Sequence, residues 1–254
     1  MPVLPVRLTP TIAVRAGLAV VDLELPGVRA FVTTRDGGVS RPPFGALNLS
    51  FSVGDDETAV TENRRRVAAA AGVDPGRLVA PRQVHGADVA VVDGSADVEA
   101  DAVVTSAEDL AVAVLVADCV PVLLVARDES RVGVAHAGWR GLDAGVLPAA
   151  VREVGPGEVR AVIGPAISAR RYQVGPEVAE RFADVDGAVQ PDEGDRSRLD
   201  LVAVALAQLR AAGVDDESIA VLDATTDDDA YFSARAASPT GRFALVAVRT
   251  MGTR

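Results

Sequence analysis

A chain of 254 residues, 49% of them hydrophobic, is long enough to bury a generous core, and we read it as one domain over 1–254. Its net charge of -11 works against a phosphate-backbone partner, because nucleic-acid binding draws its affinity from clustered basic residues. A single cysteine excludes an internal disulfide, and the absence of lysine among the 25 basic residues excludes Schiff-base chemistry and a Walker-type phosphate loop.

The opening MPVLPVRLTP is broken by prolines and does not read as a signal peptide. No apolar run reaches the roughly 20 residues of a membrane helix, so the expectation is a soluble, cytoplasmic protein. Val28 to Thr33 reads as a strand, followed by the Gly- and Pro-rich loop RDGGVSRPPFGALNLS. From Asp56 to Ala71 the pattern is helical, with Glu57 and Glu62 early and Gly72 as its stop. Within it Arg64, Arg65 and Arg66 form the only compact basic run, either a solvated face or a local anion site. Strands are expected near Val89 to Val92, Asp101 to Val104 and Leu110 to Val116.

The stretch LAVAVLVADCVPVLLVA is too long for one strand and carries Pro121, so it reads as two strands joined at Asp118 and Cys119. RVGVAHAGWRG reads as a buried strand ending at His136, then a glycine turn into a helix from about Leu142. A strand at Val159 to Ile163, a short helix from Glu177 to Phe182 and a helix from Leu199 to Ala212 follow. Strands at Ser218 to Leu222 and Phe243 to Val248 close the chain. Interleaved helices and hairpin-like strand pairs predict an α+β fold with mixed rather than purely parallel sheets.

The whole histidine and cysteine content is His85, Cys119 and His136, each at the end of an apolar stretch beside small or turn-forming residues. Two imidazoles and a thiolate suit zinc and leave a fourth position open. Their separations, 34 and 17 residues, are unlike those of zinc fingers, so a site assembled from distant elements reads as catalytic. The plainer alternative is a buried cysteine and two histidines that never meet.

The motifs RQVHG (82–86), ADCVPVLL (117–124) and AHAGWRG (135–141) together resemble the YfiH family, once described as multicopper polyphenol oxidase or laccase-like. TRDGGVS (34–40), LNLSFSVGDD (47–56), IGPAI (163–167), YQVG (172–175) and TGR (240–242) extend the resemblance from about residue 28 to the C-terminus. It implies a four-layer fold of mixed sheets sandwiched between helices, and a zinc held by His85, Cys119 and His136; copper binding in vitro is open on ligand chemistry, because copper binds most nitrogen and sulfur sites more tightly than zinc. It also implies purine nucleoside phosphorolysis on adenosine, inosine and methylthioadenosine, with adenosine deamination as a second activity. Some members resemble peptidoglycan editing factors acting on cell-wall precursors. Many relatives carry a cysteine where this chain has Ala166, and another near Ala224, before Thr225.

Phosphorolysis needs an anion site, because phosphate must reach the anomeric carbon as the purine departs through an oxocarbenium-like transition state. Arg64, Arg140 and Arg35 are the candidates, since a guanidinium fork donates two parallel hydrogen bonds to phosphate. Asn48 and Gln83 are candidates for holding base or sugar, and Gly37, Gly38, Gly138 and Gly141 for close backbone approach. With Cys119 and His136 as catalytic residues, Asp118 is the first nominee for moving protons in deamination and Asp101 the second. A metal-free hydrolase with Cys119 as nucleophile and a histidine base uses the same residues. A multicopper oxidase is excluded by counting, since two histidines cannot ligate several coppers. The expected partners are a nucleoside and phosphate, with the chain a monomer.

Overall fold

A computed structural model describes residues 5–94, 97–155 and 158–250. In chain order its strands are β1 (Val6–Leu8), β2 (Ile12–Arg15), β3 (Leu18–Leu25), β4 (Val28–Thr33), β5 (Leu78–Val79), β6 (Val89–Val92), β7 (Ala102–Thr105), β8 (Ala111–Val116), β9 (Val120–Ala126), β10 (Val132–Ala137), β11 (Val159–Ile163), β12 (Gln173–Val174), β13 (Val189–Pro191), β14 (Ser197–Leu199), β15 (Ile219–Leu222) and β16 (Phe243–Arg249). Its helices are α1 (Glu57–Ala71), α2 (Trp139–Ala144), α3 (Val146–Val154), α4 (Pro176–Ala179) and α5 (Leu201–Ala211).

The strands form a seven-stranded sheet ordered β1-β15-β11-β9-β10-β7-β6 and a six-stranded sheet ordered β2-β3-β4-β16-β8-β5. Both are mixed: β9 pairs antiparallel with β10 and β11, whereas β15 runs parallel to β11 and β5 parallel to β8. A short sheet, β12-β14-β13, completes the set.

The strands are apolar almost throughout because each main sheet is covered on both faces. Along β9, Val122 and Leu124 face the helix side while Leu123 and Val125 face the other sheet. In β16, Phe243 and Leu245 enter the layer between the sheets, and Ala244 and Val246 lie under α1. Helices α2, α3 and α5 cover the seven-stranded sheet through Leu142, Leu147, Val151, Val204 and Leu209. The architecture is therefore helix, sheet, sheet, helix, as four layers.

Local chemistry sets the element ends. Asp56 caps α1 by accepting from the Ala59 amide, and Gly72 ends it in the left-handed region at φ 75°. The helix expected from Leu199 begins at Leu201 instead, because the Asp200 carboxylate accepts from the Val202 and Ala203 amides and Leu199 pairs in β14. The helix expected near Leu142 starts earlier, at Trp139, and Gly145 at φ 84° breaks it into α2 and α3. The short helix expected over Glu177 to Phe182 is α4, tightening into a 3-10 turn at Glu180–Phe182.

The junction at Asp118 and Cys119 does more than separate two strands: β8 belongs to the six-stranded sheet and β9 to the seven-stranded one. The chain crosses between sheets there, with Asp118 at φ 94°. Pro121 sits near the start of β9, opposite His136, and its carbonyl accepts from the Gly164 amide. Among the described residues no helix is long and apolar enough to cross a membrane.

Candidate metal centre

Three separate segments deliver the two histidines and the cysteine to one rim of the sandwich. His85 lies on the loop between β5 and β6, Cys119 on the crossing between sheets, and His136 near the end of β10. One potential ligand atom from each lies within 4.8 Å of the others. The His85 and His136 rings meet edge to face, with centroids 4.7 Å apart. His136 is buried, Cys119 half-buried and His85 exposed, so the cluster has a dry side and a side open to ligands.

Glycine at 138 is required by this convergence. A Cβ there would stand 2.9 Å from Cys119 Sγ and 3.1 Å from His85 Cδ2, closer than an alanine tolerates. A Cβ at Gly141 would meet the Gly86 carbonyl at 2.9 Å, so the start of α2 packs directly on the His85 loop.

Beneath the cluster, the fully buried Asp101 bonds through Oδ1 to His136 Nδ1 at 2.8 Å and accepts from the Val84, His85 and Gly86 amides. Burial pushes its carboxyl up, but these bonds and the His136 charge outweigh it and hold the group below its ordinary value. At Cys119 burial likewise pushes the thiol up. The charge of His136 and hydrogen bonds from both imidazoles outweigh it and bring the thiol down to about 6. A thiolate beside two imidazoles is a chemically suitable donor set for a soft or borderline metal such as zinc.

The other candidates divide sharply. Asp118 Oδ1 accepts from Thr226 Oγ1 at 2.7 Å and Oδ2 from the Arg235 amide at 2.7 Å, which commits both oxygens to tying two distant loops to the Cys119 segment. Asn48 is fully buried; its amide nitrogen donates to the Ser50 carbonyl and Asp55, while its oxygen accepts from the Ser50 and Arg242 amides. Gln83 donates to the Leu115 carbonyl and accepts from the Leu115 amide, both at 2.8 Å. The side-chain amides of Asn48 and Gln83 are spent on framework. Arg35 gives Nε and Nη2 to the Gly45 carbonyl and stacks on Phe232, a framework arrangement too.

Within the basic run, Arg65 and Arg66 pair with Glu62 on the helix surface. Arg64 turns inward instead, donating Nε to the Leu49 carbonyl with its guanidinium 4.6 Å from the Phe51 ring, and burial lowers its pKa. Arg140 is exposed on α2, two residues beyond Gly138, and stacks 4.2 Å over Trp139.

Two groups at the rim were not anticipated as site residues, although the motifs YQVG and TGR contain them. Tyr172 is pushed up to about 12, first by burial and then by the negative charges of Cys119 and Asp118. Arg242 is lowered by burial, against an opposing pull from Cys119 and Asp118, and its backbone bonds to Asn48 and Leu49. The two positions noted for missing cysteines flank the same rim: Ala166 bridges to Thr225, and the Ile167 amide donates to the Asp118 carbonyl.

Two clefts lie away from the centre. One of about 450 Å³, lined by Arg127, Asp128, Arg131 and Glu158, opens at the opposite end of β9 and contains none of these residues. Donor geometry, not cavity size, picks out the centre.

Comparison with known proteins agrees with this choice of fold and motifs. The purine nucleoside phosphorylase SCO2081 of Streptomyces coelicolor is 46% identical over 222 residues, covering 84% of this chain and 91% of that protein. The purine nucleoside phosphorylase YfiH of Escherichia coli is 40% identical over 225 residues, with 86% and 92% covered. Among solved structures, YlmD from Geobacillus stearothermophilus superposes with TM-score 0.85 at 32% identity, covering 91% of this chain and 96% of that one. A Bacillus licheniformis protein titled hypothetical protein YfiH gives TM-score 0.82 at 32% identity, covering 87% and 92%. The family model described as multi-copper polyphenol oxidoreductase laccase matches residues 29–250, and the chain therefore belongs to the YfiH, laccase-like family.

Proposed function

We propose that this protein is a metal-dependent purine nucleoside phosphorylase acting on adenosine, inosine and methylthioadenosine in the cytoplasm. The observation that carries the reading is the convergence of His85, Cys119 and His136 within 4.8 Å, in a chain 46% identical to a protein named for that activity. These three residues would hold the metal, with zinc the best fit to two imidazoles and a thiolate. When bound, it would supply Lewis acidity on the side of the cluster where His85 is exposed.

The rest is done by the protein's own side chains. In phosphorolysis a phosphate oxygen forms a bond to the anomeric carbon as the bond to the purine nitrogen breaks, and the base leaves with that electron pair and takes up a proton. Arg140 and Arg64 are assigned to phosphate: Arg140 is exposed two residues from Gly138, and Arg64 keeps part of its fork beyond the Leu49 bond. Asp118 is assigned to holding the Cys119 segment, since Thr226 and Arg235 occupy its oxygens. Adenosine deamination is proposed at the same centre.

The test is release of hypoxanthine from inosine and adenine from adenosine. Release that depends on phosphate and yields a sugar 1-phosphate supports the reading; release without phosphate contradicts it. Ammonia from adenosine reports deamination separately.

A metal-free cysteine hydrolase is the second reading, favoured by one specific arrangement. Cys119, His136 and Asp101 stand in the order nucleophile, base and orienting carboxylate, with the thiol depressed. Activity that survives chelation and is destroyed by thiol alkylation would select it.

A further inference from the structure

Asp101 meets four donors with one carboxylate. Oδ1 lies 2.8 Å from His136 Nδ1 and 3.0 Å from the His85 amide; Oδ2 lies 2.6 Å from the Gly86 amide and 3.2 Å from the Val84 amide. Its own carbonyl accepts from the His136 amide at 2.7 Å, so the two residues are joined through backbone and side chain alike. The side chain is fully buried and cannot touch a substrate.

An ionised carboxylate offers about four lone-pair sites and no donor, and here four donors fill them. His136 must then carry its proton on Nδ1, which leaves Nε2 as the ring nitrogen available to a metal. The same oxygens bind three successive amides of the loop bearing His85. They hold His85 at φ 61°, a left-handed conformation that a non-glycine residue keeps only when its surroundings impose it. Gln83 fastens the loop a second time, through both hydrogen bonds to Leu115 of β8.

We propose that Asp101 is the positioning residue of the metal centre: one buried carboxylate selects the His136 tautomer and holds the Val84–Gly86 backbone, so that both imidazoles face the Cys119 thiolate. Asp101 acts through the ligands and moves no proton to or from substrate. The inference rests on the metal reading above and adds what assembles the site before any metal arrives.

Asp101→Asn keeps the shape but places an NH2 group against two donors whichever way the amide is turned. The variant should bind zinc ~10–100-fold more weakly in chelator competition, as loss of an outer-sphere partner does elsewhere. The visible spectrum of its cobalt-substituted form should also shift as the ligand geometry relaxes. A zinc affinity within about twofold of wild type would overturn the proposal, since twofold falls well short of the loss expected. Should the variant not fold, ring nitrogen NMR of the zinc-loaded wild type decides. A proton on His136 Nδ1 with metal on Nε2 is expected, and the reverse assignment overturns it. Wild type that binds no zinc removes the metal reading itself, whereas wild type and variant binding alike remove only this inference.

Discussion

At the scale of single residues, folding alters the thiol of Cys119 strongly. Burial raises it, but the His136 charge with hydrogen bonds from His136 and His85 outweighs burial and brings it from an ordinary 9.0 down to about 6. A depressed acid contributes stability that is fully present above its unfolded value and is lost as the pH falls through its folded value. Metal-free protein should accordingly react with iodoacetamide along a pH profile with its midpoint near 6, and stoichiometric zinc should protect the thiol. A midpoint near 9.0 would contradict the ion-pair geometry. Gly138→Ala brings a methyl group against Cys119 Sγ and His85 Cδ2. It should lower zinc affinity by about tenfold, the smaller effect expected of an outer-sphere change, with little change in thermal midpoint, read by chelator competition and thermal denaturation.

At the scale of elements, the loops around the centre are fixed by polar residues that point inward from helices and strands. Asn63 on α1 is fully buried; it accepts from the Val39 amide and donates to Ser40 Oγ and the Ala46 and Asn48 carbonyls. Asn63→Ala leaves these groups unpaired, so urea denaturation should show a loss of about 2–3 kcal/mol. The cost should exceed that of Glu62→Ala on the exposed face, where surface pairing with Arg65 contributes little. Elements with unbroken apolar runs, such as β9 and β10, were legible in the sequence because burial on both faces writes itself into composition. β2 was not, since Ile12 and Val14 point outward and Pro10 and Gly17 interrupt the pattern. The strands of the small sheet, two or three residues long, are too short to show any period. Asn48 and Gln83 drew attention as polar residues in motif positions, yet their partners are backbone groups distant in sequence that no spacing reveals.

At the scale of the whole molecule, the centre sits where the chain passes from one sheet to the other, so its geometry is inherited from the shared apolar layer. Leu123, Val134, Phe243 and Leu245 fill that layer, all essentially inaccessible to solvent. Leu123→Ala should destabilise the fold by about 2–5 kcal/mol through lost burial and a cavity, measured by chemical denaturation. Protein that remains folded should retain its metal, because the deletion lies in the apolar layer, opposite Val134, and removes neither a ligand nor a hydrogen bond of the centre. The site residues that reasoning from sequence brought together, His85, Cys119 and His136, do converge in space, and the motifs that flank them made that foreseeable. The placement of Tyr172 and Arg242 near Cys119 and Asp118 depends on chain crossings that composition does not record.

The central claim is that one metal ion at this centre is needed for phosphorolysis. The most direct test purifies wild type and His85→Ala, quantifies bound metal, and follows phosphate-dependent release of hypoxanthine from inosine. We predict one equivalent of zinc and phosphate-dependent release in the wild type, with both lost together in the variant. Undiminished phosphate-dependent release by metal-free His85→Ala would contradict the account.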